Sequence, residues 1–99
     1  MQKTKLEIIH EIKTYMESGG GSSDKWYVGV TDNPEYRLFK QHNLDKFYDF
    51  WIVRNAENQE KARDIEKYFV EKLKTLGTTD GNNGATYVYA YKKNRHTKP

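Results

Sequence analysis

Cysteine is absent from the 99 residues, which excludes a disulfide framework and any thiolate-ligated zinc. Histidine is scarce too, and His10, His42 and His96 are too far apart in sequence to suggest a His-only metal site. Long apolar runs are missing: stretches such as Phe50 to Val53 fall far below the ~18–20 residues needed to cross a bilayer, so no membrane partner is expected. The stretch from Met1 to Met16 mixes three Lys and two Glu among its apolar residues, which is not the pattern of a signal peptide. A chain of this length buries only ~60–65% of its unfolded surface, enough for one modest core. Large multidomain enzymes and solenoids are excluded, and the expectation is one soluble, reduced, cytoplasmic domain over residues 1–99.

Net charge is also small, +3, and its location matters more than its size. Residues 1–18 carry three charges of each sign, residues 24–54 five of each, and residues 57–74 five of each. Asp80 adds one negative charge, and Lys92, Lys93, Arg95 and Lys98 place the excess in a basic tail over 92–99. Such a tail can touch phosphates, or it can simply be a solvated chain end.

What is present alternates between two periodicities. Thr4 and Glu7 have the spacing of a capping box, and Ile8, Ile12 and Met16 recur on one helical face, predicting a helix to about Ser18. The Gly/Ser stretch over 19–24 reads as a flexible connection. Lys25 to Thr31 alternates, with Trp26, Val28 and Val30 on one face and Tyr27, Gly29 and Thr31 on the other. Asn33-Pro34 then caps a short helix running to about Gln41. Phe47 to Val53 is aromatic and β-branched and predicts a second strand, and Gln59 to Leu76 predicts a long helix stopped by Gly77. A loop over 77–84 leads to a third strand, Thr86 to Lys92, with Tyr87, Tyr89 and Tyr91 on one face and Val88 and Ala90 on the other. The order α-β-α-β-α-β implies an α/β or α+β layered domain with three strands and three helices.

One side chain conflicts with its helix. At ~100° per residue, Leu73, Phe69, Ile65 and Leu76 lie within about 60° of Ala62, and Glu66 falls inside that apolar stripe at about 40°. An inward carboxylate needs a cation, a metal or several donors, because an unpaired buried charge costs several kcal/mol. Either an internal ion pair or a cleft answers the requirement. Gly29 beside Tyr27 leaves space above the sheet for a ligand or for a tightly packed helix. Arg37 offers a planar donor fork for a phosphate or a carboxylate.

Tyr27-Val28-Gly29, then Arg37 ten residues on, then His42-Asn43, then Glu66 on a later helix together resemble the second half of the GIY-YIG nuclease motif, over about residues 25–76. The resemblance implies a GIY-YIG-like fold and Mg²⁺- or Mn²⁺-dependent hydrolysis of nucleic-acid phosphodiesters, with DNA expected in preference to RNA. Glu66 would hold the metal, Arg37 would neutralise the phosphorane, and Tyr27 and His42 would handle the proton of the attacking water. Three departures accompany it. The Gly-Ile-Tyr strand expected before Tyr27 is replaced by Gly and Ser, so the strand Tyr87 to Tyr91 is the candidate to fill its place beside residues 26–30 and supply a phenol. His42 follows Arg37 by five residues rather than four, so that it joins the site only if the helix ends early. The family's late Asn has two candidates, Asn82 and Asn83. The alternatives are a catalytically inactive module that binds nucleic acid through Tyr89, Lys92, Lys93 and Arg95, or a protein-interaction domain in which Arg37 and Glu66 pair.

Overall fold

A computed structural model describes residues 3–77 and 84–99. The expected Asn82 and Asn83, and most of the loop around them, lie outside the described residues.

Helix α1 spans Lys5–Gly19 and begins as the Thr4/Glu7 pair requires: the Thr4 hydroxyl accepts from the Glu7 N–H at 3.1 Å, and a Glu7 carboxylate oxygen accepts from the Thr4 N–H at 2.9 Å. A short 3₁₀ turn, Ser23–Lys25, leads into β1, Trp26–Thr31. Helix α2 starts at Pro34–Tyr36 with the Asn33 side chain as its cap, and it continues through a wider π-helical turn, Arg37–Gln41. Strand β2 is Trp51–Asn55, helix α3 is Gln59–Lys67 followed by a second π turn, Tyr68–Lys72, and β3 is Tyr87–Lys92.

The three strands form one antiparallel sheet in the order β1-β3-β2, with Tyr27 opposite Tyr91 and Gly29 opposite Tyr89. Each face carries a core of different character. Val28, Val30, Ile52, Val88 and Ala90 pack with Ile8, Ile12 and Met16 of α1 and Ala62, Ile65 and Phe69 of α3. On the other face Tyr27, Tyr89 and Tyr91 pack with Leu38 and Leu44. All six residues of β1 are buried, since both faces are covered.

Two boundary expectations are corrected. The second strand does not begin at Phe47, because the Asp45 carboxylate accepts from the N–H groups of both Phe47 and Tyr48 and folds that stretch into a turn. The long helix stops at Lys72 rather than Leu76. Lys74 takes a left-handed conformation (φ 64°), and Leu76 instead bonds to the edge of β1, donating to the Trp26 carbonyl and accepting from the Val28 N–H, each at 2.9 Å. Gly77 therefore serves close approach rather than helix termination, since a Cβ there would collide with the Val28 carbonyl. Helix α1 lies away from the tyrosine stripe. It packs on the aliphatic face, and the stripe is covered from the α2 side.

Candidate functional site

Glu66 is buried as its helical position predicts, at 1% exposure. On the opposite face of the sheet from α1, a chain of hydrogen bonds runs through side chains of β3 and α2. Arg37 Nε–H donates to the Tyr89 hydroxyl oxygen at 3.1 Å, and Tyr89 Oη lies 2.8 Å from His42 Nε2. His42 Nδ1 lies 2.6 Å from the Lys98 carbonyl. A carbonyl only accepts, so the Nδ1 position carries the proton, and neutral His42 then accepts the Tyr89 O–H at Nε2. Tyr91 Oη stands 3.0 Å from Nδ1 and shares that proton. Arg37 is held a second time through its terminal nitrogen, which donates to Gln41 at 3.0 Å.

The wide turn in α2 brings Arg37 and His42 together. In a regular α-helix residues five apart point about 140° apart. Here the His42 N–H bonds to the Arg37 carbonyl at 2.9 Å, an i to i+5 bond that adds one residue to the turn and brings the two side chains to the same phenol. Early termination of the helix, the condition expected from the sequence, is not what joins them.

Gly29 explains how Tyr89 reaches this position. A Cβ on Gly29 would lie 2.5 Å from Tyr89 Oη and 2.7 Å from its Cζ, so the ring lies directly over the glycine. The space above Gly29 is taken by a phenol from the neighbouring strand, neither by a ligand nor by a helix. Tyr27 completes the cluster, its ring stacked 5.3 Å from Tyr91 and 6.2 Å from Tyr89 and tilted 4.7 Å from His42.

Burial sets the protonation states. It pushes the Tyr89 and Tyr91 phenols well above their usual range near 10, with Tyr27 adding to the shift and Arg37 opposing it. The Glu66 carboxylate adds a smaller upward contribution to the Tyr89 shift. Burial also lowers the His42 pKa below 6.5, outweighing the Lys98 hydrogen bond that favours the charged ring, and Arg37 lowers it further. At neutral pH the cluster is thus a neutral imidazole accepting from a neutral phenol, with a guanidinium on the phenol oxygen.

The expected residues are therefore distributed as follows. Tyr27, Arg37, His42 and Tyr89 come together, and Glu66 is buried on α3. Tyr89 is fully buried and offers no open ring to a base, so its expected role as a nucleic-acid stacking residue is not realised. Lys92 donates to the Gly19 carbonyl at 2.9 Å, Lys93 is partly exposed and Arg95 is exposed. The tail is not a frayed end: Asn94 and His96 bond to Asp49, and the Lys98 N–H donates to the His42 carbonyl at 2.8 Å. Sequence reasoning had the strand Tyr87 to Tyr91 as the source of a phenol but missed the Lys98 carbonyl. Alternation marked the face of Tyr91, but no local signal pointed to a backbone carbonyl 56 residues from His42.

Among the described residues no three His, Cys, Asp or Glu side chains converge into a metal-binding group, and no helix is long and apolar enough to cross a membrane.

No family model, curated protein or solved structure matches the chain.

Proposed function

We propose that this protein is a GIY-YIG-like endonuclease that hydrolyses nucleic-acid phosphodiesters with a divalent metal, DNA in preference to RNA. The observation that carries the reading is the convergence of Arg37 and His42 on the Tyr89 hydroxyl. Its position agrees with the resemblance: β3 stands antiparallel beside β1, where a tyrosine-bearing strand is expected, although it arrives from the C-terminal end of the chain.

In this mechanism Tyr89 takes the proton of an attacking water while passing its own to His42 Nε2, so that no free phenolate has to form in a buried site. His42 is the proton's destination, and its orientation is fixed by the Lys98 carbonyl. Arg37, half-buried, is the member of the cluster that reaches the surface, so it meets the phosphate and offsets the charge that grows on it in the transition state. Tyr27 holds the faces of His42 and of the two other phenols. Glu66 would hold Mg²⁺ or Mn²⁺, which when bound supplies charge to the phosphate oxygens and the leaving group.

The expected outcome is Mg²⁺-dependent nicking of plasmid DNA by the wild type, lost in Glu66→Gln while the thermal midpoint stays within a few degrees. NMR shifts on Mg²⁺ titration should converge on Tyr27, Arg37 and Glu66. Equal cleavage by the variant rejects the assignment. One observation favours a binding module without turnover, namely the full burial of Tyr89 and Tyr91. Under that reading nucleic-acid binding persists without metal, and the wild type does not nick at any metal concentration.

A further inference from the structure

The buried cluster leaves the most exposed aromatic pair unexplained. Phe47 and Tyr48 are 88% and 86% exposed and adjacent in sequence. They do not sit on a loose loop. Asp45 Oδ1 accepts from their two N–H groups at 2.9 and 3.2 Å, the Asp45 N–H donates to Asp49 Oδ2 at 2.6 Å, and the Asp49 N–H donates back to the Asp45 carbonyl at 3.0 Å. Trp51 Nε1–H fixes the Lys46 carbonyl at 3.0 Å. The two rings are thus held on a rigid turn and turned toward solvent.

The docked tail supplies the second feature. Asn94 and His96 bond to Asp49 at 2.5 and 2.6 Å, and Asn43 donates to the His96 carbonyl at 3.0 Å. Residues 94–98 therefore lie beside 42–49, and two cations of the basic tail, Arg95 and Lys98, are carried next to the exposed rings. The acids in this region are largely engaged. Asp45 is taken up by the turn, Asp49 by Asn94 and His96, and Glu35 pairs with Lys46 at 3.7 Å. Arg95 and Lys98 stay exposed, and so does Lys40, which shares an open groove with Phe47.

We propose that Phe47 and Tyr48 form a stacking platform for unpaired bases, with Arg95 and Lys98 alongside for the phosphates, so that the ligand is single-stranded nucleic acid. Aromatic faces bind any base, and clustered cations follow the backbone without reading its sequence. Duplex DNA hides its base faces and gives such rings nothing to stack on. The inference rests on the nuclease reading only for the class of ligand, and it is tested without metal so that the two stand or fall separately.

The test is fluorescence anisotropy of the full chain in EDTA, with a labelled oligothymidylate and a duplex of equal length. The wild type should prefer the single strand, and Phe47→Ala and Tyr48→Ala should each weaken binding roughly fivefold to a hundredfold. The double variant Arg95→Gln/Lys98→Gln should flatten the dependence of log K on log salt by about 1.4. Unchanged affinity in the Phe47→Ala/Tyr48→Ala double variant overturns the proposal, as does equal binding to the duplex. So does a wild-type dimer in sedimentation that this double variant dissolves, since the rings would then belong to self-association. Persistence of single-strand binding in a protein that never nicks leaves the platform standing and removes the nuclease.

Discussion

Replacing Gly29 with alanine tests the arrangement at its tightest point. The new Cβ would sit 2.5 Å from Tyr89 Oη and 2.7 Å from Cζ, against an ordinary contact of about 3.4 Å or more, so the ring must retreat by nearly an ångström. Its freedom to do so is small: Tyr89 is fully buried, its backbone is paired with both Gly29 and Val53, and its ring is stacked on Tyr27. Overpacking of this kind costs about 1–3 kcal/mol. Moving the hydroxyl that far also weakens its bonds to Arg37 and His42, each contributing about 1 kcal/mol. The sum, about 2–4 kcal/mol, is a large share of the ~5–10 kcal/mol expected for a domain of this size. Urea unfolding should therefore show a lower midpoint with little change in slope. Tyr89→Phe removes the atom nearest the new methyl, and Gly29→Ala added in that background should cost measurably less than it does in the wild type. A Gly29→Ala loss below about 0.5 kcal/mol, or strict additivity with Tyr89→Phe, would refute the claim that the glycine exists to seat this phenol.

Further expectations concern His42 and the tail. Because the folded-state pKa of His42 lies below its unfolded value of 6.5, the unfolded chain takes up a proton first as pH falls. Its contribution is complete above about pH 6.5 and is lost on acidification from there down to the folded pKa, by at most about 1.4 kcal/mol per pH unit. Urea midpoints measured across this range should show that loss in the wild type and not in His42→Gln; the same slope in both would assign it to other groups. Deleting residues 94–99 removes the carbonyl that orients His42 and the partners of Asp49, and should destabilise the domain by about 1–3 kcal/mol. It should also shift the His42 ring signals in NMR, and an unperturbed ring spectrum would argue against tail docking.

Much of the local structure follows from the sequence. The Thr4/Glu7 capping box, the Asn33-Pro34 start, the two faces of β1 and β3 and the inward position of Glu66 all depend on neighbours within a turn or on a period of two or 3.6, and these are readable in one dimension. The errors have equally local causes. Composition suggested a strand from Phe47, but one Asp45 carboxylate bonding two N–H groups outcompeted β-propensity. Gly77 resembled a helix stop, whereas its requirement comes from a strand 49 positions earlier, at Val28.

The candidate site depended on more distant relations. Spacing alone placed His42 out of line with Arg37, and only a π turn packed above the tyrosine face brings both to one hydroxyl. That hydroxyl comes from a strand whose neighbours are fixed by sheet order, and the imidazole's tautomer is fixed by a carbonyl in the tail. Residue types and periodicities thus determined which side chains face inward, because facing is a property of a single helix or strand. Which inward side chains meet was decided by strand order, by one widened helical turn and by tail docking, since contacts across elements depend on how the chain returns upon itself.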